Sequence, residues 1–129
     1  MVQSIAFYGL LMRQGGAQQR LGVDRALTFI SPCRIPGRLV DLGSYPGLVE
    51  ERSEVEGELY RLDDPAVLAT LDDFEGYDRD RPAGSPYVRR RRRLIAPDVE
   101  AWVYVYTGPL EGRARIASGA WFRRDSAKR

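Results

Sequence analysis

Glu75 stands immediately before Gly76, at the close of a segment that opens with Asp63-Asp64-Pro65. Asp64 is a good N-cap and Pro65 fits the first helical turn, where its missing N–H costs nothing. Val67, Leu68, Leu71 and Phe74 fall at i, i+1, i+4 and i+7, the spacing of one apolar helix face. The pattern predicts a helix that stops at Gly76. A carboxylate at that end meets the negative pole of the helix dipole, and Asp72 and Asp73 add like charge close by. Both effects disfavour the ionised form, and burial beside Phe74 would add to them. A carboxyl tuned towards neutral pH is what general acid/base catalysis needs. A solvated acidic helix end reads the same way, and these residues alone leave both readings open.

Three other segments carry chemical potential. Tyr8-Gly9-Leu10-Leu11 follows a short apolar run, and a glycine there lets successive N–H groups converge on an anion. Tyr45-Pro46-Gly47 is a turn signal, and the residues leave open whether it is a structural turn alone or also presents a rigid wall to a pocket. Arg89 to Arg93 are five consecutive arginines. In a strand they split between two faces, Arg89, Arg91 and Arg93 against Arg90 and Arg92, which blunts any single basic stripe. Asp72, Asp73, Asp78 and Asp80 are available to offset them. Nucleic acid is therefore not an expected partner, because an overall basic domain with interleaved aromatics is missing. Trp102, Tyr104 and Tyr106 share one strand face and read mainly as core, with a tyrosine at a pocket end as the alternative.

Composition removes several mechanisms. The 129 residues contain no histidine and one cysteine, Cys33, so a histidine-based triad, a thiolate metal cluster and an internal disulfide are all excluded. Lys128 is the only lysine among the 20 basic residues, and it lies near the C-terminus, which argues against Schiff-base chemistry. No Walker loop or dinucleotide fingerprint is present. What remains for catalysis is carboxylate, tyrosine, hydroxyl, backbone amide and arginine. A formal charge of +2 gives no strong field towards nucleic acid or an anionic membrane. Met1 to Tyr8 lacks a signal-peptide pattern and no apolar run approaches membrane-spanning length, so a soluble cytoplasmic protein is expected.

The elements that must position these residues are mostly strands. Ile5-Ala6-Phe7-Tyr8 reads as a buried first strand, and Ala17 to Leu21 as a short helix after Gly15-Gly16. Ala26 to Ile30 and Arg34 to Leu42 read as two strands, the second interrupted by Pro36-Gly37. Val55 to Leu62 alternates cleanly. Tyr87 to Ile95 and Glu100 to Thr107 read as a hairpin around Ala96-Pro97-Asp98, and Ile116 to Phe122 packs back on the core. The chain is one domain over 1–122 with a charged tail over 123–129. The expected architecture is α+β: a small, mixed, mainly antiparallel sheet curled into a barrel with few helices.

In order along the chain, Tyr8-Gly9-Leu10-Leu11, Tyr45-Pro46-Gly47, Gly57-Glu58-Leu59-Tyr60, Leu71-Asp72-Asp73-Phe74-Glu75-Gly76-Tyr77, Tyr87-Val88-Arg89 and Ala101-Trp102-Val103-Tyr104-Val105-Tyr106 resemble the motifs of the gamma-glutamylcyclotransferase-like family. The resemblance implies a small barrel-like fold with a pocket at its mouth. It implies conversion of a small gamma-glutamyl compound, amine or amino acid, to 5-oxoproline, with no metal and no cofactor. It places Glu75 at the catalytic carboxylate. It makes Tyr8, Gly9, Leu10 and Leu11 the loop whose amides hold a substrate carboxylate or carbonyl oxygen, and Tyr45, Pro46 and Gly47 a pocket wall. Leu10 departs from the usual Ser/Thr, which removes a hydroxyl donor, and Arg92 replaces a usually apolar residue. A protein of the same fold that binds a small carboxylate ligand without turning it over is the competing expectation.

Overall fold

The computed structural model describes residues 3–123. Six strands and two α-helices form the framework. Strand β1 spans Gln3–Phe7, β2 Leu27–Asp41, β3 Pro46–Leu62, β4 Tyr87–Arg93, β5 Glu100–Tyr106 and β6 Ala114–Arg115. Helix α1 spans Ala17–Leu21 and α2 Val67–Glu75. The sheet order is β4-β5-β1-β3-β2-β6, and the sheet curls into a half-barrel. Every neighbouring pair is antiparallel except β1 with β5, which is parallel with Ile5 opposite Trp102. The expected mixed, mainly antiparallel α+β domain is what forms.

Strand alternation explains the core. Along β5, Ala101, Val103 and Val105 enter one apolar cluster while Tyr104 and Tyr106 enter another. The same division holds on β1, with Ala6 against Ile5 and Phe7, and on β3, with Val55 and Leu59 against Tyr60 and Leu62. Successive side chains point to opposite faces, so the sheet is buried on both sides through its centre. Helix α2 covers one face through Leu71, which is fully buried in the second cluster.

Strand boundaries differ from the sequence reading: the two strands expected over 26–30 and 34–42 are the single β2, and the strand expected from Val55 starts at Pro46. The Pro36-Gly37 interruption does not break a strand: β2 runs through it with a register shift between Pro36 and Arg38, and through a second shift between Phe29 and Ser31. These are bulges, each of which bends a long strand without ending it. Pro46-Gly47 is not the turn either. The hairpin turns at Leu42 to Tyr45, where the Leu42 N–H donates to the Tyr45 carbonyl at 3.1 Å and Gly43 has φ 104°. Pro46 opens β3 opposite Asp41, a first-of-strand position that proline tolerates.

Candidate functional site

Helix α2 begins as the sequence suggests, two residues late. Asp64 Oδ1 accepts the Ala66 N–H at 3.0 Å, and regular helix follows from Val67. Gly76 ends it with φ 75°, its N–H returning to the carbonyls of Asp72 and Asp73. The expected face meets the core through Leu71, with Val67 and Leu68 partly buried against the same cluster, but it fails at its last position. Leu71 and Asp72 are buried, whereas Phe74 is 40% exposed. The i+7 position from Val67 has turned off the core, and the Phe74 ring instead edges a cavity of about 470 Å³.

Glu75 lines that cavity and is partly buried. Its carboxyl has no hydrogen-bond or ion-pair partner among the described residues. Burial, followed by the charge of Asp72, pushes it up to about 8 from an ordinary 4.5. Burial therefore outranks the neighbouring charge that the sequence emphasised, and Asp73, which is exposed, is not among the causes. Asp72 is also more than a neighbour. Its Oδ1 accepts the Arg89 Nε–H at 2.7 Å and the Tyr104 hydroxyl at 2.7 Å, and its Oδ2 accepts Arg89 Nη2 at 3.1 Å. The Asp72 and Arg89 side chains are 7% and 5% exposed, so this is a buried bidentate pair.

The other residues singled out from sequence assemble around Glu75. Tyr8, Gly9, Leu10, Leu11, Tyr45 and Pro46 all line the same cavity. A Cβ on Gly9 would lie 2.8 Å from Pro46 Cγ, so the loop after β1 rests directly on the start of β3. Gly47 does not line the cavity. It lies beneath Tyr106, whose Cβ and Cγ would be 2.8 Å from an added methyl, and its smallness serves that close approach. The Met12 N–H closes the loop on the Gly9 carbonyl at 2.9 Å. Among the described residues no acceptor meets the amides of Leu10 and Leu11. These are two adjacent unpaired donors in residues that line the cavity.

Four of the five lining phenols are already spent, Tyr45 being the exception. Tyr8 donates to the Tyr104 carbonyl at 2.6 Å and accepts the Leu48 N–H at 3.2 Å. Tyr87 donates to the Pro46 carbonyl at 2.5 Å, and Tyr106 to the Pro109 carbonyl at 2.9 Å. Burial, reinforced by Glu75 among other charges, holds Tyr8, Tyr87 and Tyr104 well above the usual phenol range. They brace the walls as neutral groups and have no proton to give a ligand. A tyrosine of β5 at the pocket end, Tyr104 or Tyr106, is thus left to meet a ligand as an acceptor and not as a donor. The groups left uncommitted in the lining are the Glu75 carboxyl, the two loop amides, the exposed Tyr45 hydroxyl, Asp73 and Arg113.

The arginine run passes from a buried start to an exposed end along β4. Arg89 turns inward to Asp72, while Arg91 pairs with Glu100 at 3.5 Å, Arg92 with Glu50, and Arg93 with Asp98 at 2.9 Å. Arg89 and Arg91 also flank the Trp102 ring at 4.3 and 4.9 Å. Of the four aspartates that sequence proximity offered, only Asp72 is used by this run. The other partners come from β3 and the β4–β5 hairpin.

Residues 5–123 match the family described as Gamma-glutamyl cyclotransferase, AIG2-like, and the chain belongs to that family. Over 88 residues it is 41% identical to Gamma-glutamylcyclotransferase family protein YtfP of Escherichia coli K12, covering 68% of this chain and 70% of that one. The solution structure of Escherichia coli YtfP superposes with a TM-score of 0.68 at 33% identity, covering 96% of this chain and all of that one. An AIG2-like protein from Mus musculus superposes with a TM-score of 0.63 at 25% identity over 84% of this chain and 80% of that one. No helix among the described residues is long and apolar enough to cross a membrane.

Proposed function

We propose that this chain cyclises gamma-glutamyl amides, releasing 5-oxoproline and the attached amine or amino acid. The observation that carries the reading is an unpartnered carboxyl, Glu75, raised to about 8 inside a cavity that also presents the free amides of Leu10 and Leu11. The glutamyl α-amine, in its neutral form, attacks its own γ-carbonyl carbon. The new C–N bond closes a five-membered ring as ionised Glu75 takes a proton from that nitrogen. The protonated Glu75 then gives the proton to the departing nitrogen as the original amide C–N bond breaks. Atoms and protons balance with no other reactant. Ring closure is intramolecular, so holding the glutamyl chain folded supplies much of the acceleration. The Leu10 and Leu11 amides suit the α-carboxylate or the oxyanion that develops on the carbonyl oxygen.

The test is to incubate the protein with a panel of gamma-glutamyl amides and follow 5-oxoproline by mass spectrometry. Release by the native protein and loss of release in Glu75→Gln, with melting behaviour intact, is the expected outcome. Unchanged turnover in Glu75→Gln removes the carboxyl from the mechanism. One observation favours a second reading, a ligand-binding protein without turnover: Leu10 offers an apolar side chain where a hydroxyl would help orient substrate. Binding without product across the panel would select it.

A further inference from the structure

Arg113 is a cavity-lining residue that the proton transfers above do not use. Its backbone is fixed on both sides. The Arg113 N–H closes a turn onto the Leu110 carbonyl at 3.0 Å, and the next residue, Ala114, pairs with Asp41 at the end of β2. This register sets Arg113 beside Leu42, the residue that opens the β2–β3 turn, and both line the cavity with Tyr45. Arg113 is exposed, and its guanidinium has no hydrogen-bond or ion-pair partner among the described residues. Arg115, two residues on, is bound to Glu51 at 3.1 Å. Among the described residues Arg113 is also the only basic residue in the lining, against Asp73 and Glu75.

We infer that Arg113 is a specificity-determining residue that receives a carboxylate carried by the leaving group, so that the preferred substrates are gamma-glutamyl conjugates of amino acids or peptides rather than of simple amines. This rests on the cyclisation reading above. The reacting carbonyl must lie within reach of Glu75, and the glutamyl α-carboxylate has the Leu10 and Leu11 amides. What extends to the exposed rim at Tyr45 and Arg113 is then the part beyond the scissile bond. A forked guanidinium on that rim matches a carboxylate bidentately.

The experiment compares two ligands that differ only in that group, gamma-glutamylalanine and gamma-glutamylethylamine. Each is titrated calorimetrically into the full chain carrying Glu75→Gln, which holds the ligand without turning it over. The alanine conjugate is expected to bind about tenfold more tightly, the worth of one charge-assisted contact at an open rim. Adding Arg113→Gln is expected to erase the preference by weakening the alanine conjugate alone, and Arg113→Lys to restore part of it. Arg115→Gln, outside the cavity, is expected to leave both affinities as they were. Equal affinity for the two ligands, a preference that survives Arg113→Gln, equal weakening of both by Arg113→Gln, or no binding of either overturns the assignment. Release of 5-oxoproline by the native protein is read separately. A tenfold preference without product sinks the cyclisation reading and leaves Arg113 as the carboxylate receptor of a binding site, while product without a preference does the reverse.

Discussion

Replacing Glu75 with glutamine should make the protein more stable at alkaline pH and leave it unchanged at acid pH. The carboxyl ionises near 4.5 in an unfolded chain and near 8 in the folded one, because burial and then the Asp72 charge disfavour its anion. Below pH 4.5 both states hold the proton and glutamine mimics the neutral acid, so the two proteins should unfold alike. Between these values the folded protein binds the extra proton, and stability of the native sequence falls as pH rises. An interval of about 3.5 pH at about 1.4 kcal/mol each sets a ceiling of ~5 kcal/mol. The cavity admits water, which relaxes the penalty, so a gap of about 2–4 kcal/mol at pH 9 is the expected size. Urea unfolding of both proteins from pH 4 to 9 measures it, and subtracting the two curves cancels every other titrating group. A difference that stays flat across this range would mean that Glu75 ionises as an ordinary carboxylate, and the acid/base argument fails with it. The same property predicts that kcat/KM climbs towards pH 8, since ring closure needs the ionised form.

Two further perturbations test the walls of the site. Arg89→Met leaves the Asp72 carboxylate buried with only the Tyr104 hydroxyl, and should cost about 3–5 kcal/mol in urea unfolding, part of it recovered by adding Asp72→Asn. Gly9→Ala drives a methyl to 2.8 Å from the Pro46 ring and should cost about 1–3 kcal/mol in the same melts. It should also lower 5-oxoproline release by about tenfold or more, because the Leu10 and Leu11 amides move with the loop. A stability loss with unchanged turnover would separate that loop from the chemistry.

The features legible in the sequence were those written in local code. The Gly76 stop of α2 and the alternation of Ala101 to Tyr106 depend on residues near one another in the chain, and the structure has them, while the Asp64-Pro65 start is met two residues late, at Val67. What escaped was set across the sheet. Pro36-Gly37 looks like an end, but β3 runs alongside and carries β2 through it as a bulge. Phe74 completes an apolar spacing on paper, yet Asp72 takes the buried place because Arg89 and Tyr104, 17 and 32 residues away, satisfy its charge. No local signal announces such a pair. The only hint was the accumulation of arginines in β4 opposite a helix rich in acids. Arg113 gave no hint either, since its place follows from the pairing of β6 with β2.

The parallel contact of β1 with β5, Ile5 against Trp102, joins the neighbouring strands that lie furthest apart along the chain. The cavity draws its walls from segments within residues 6–11, 42–46, 73–76, 86–87 and 104–113, so no short contiguous fragment of the chain contains it. Until the ends of the molecule meet, Glu75 is a plain acid in water with a plain acid's affinity for protons. Its unusual basicity is therefore a property of tertiary closure, and the ionisation of one side chain could serve as a reporter of whether the whole molecule has come together.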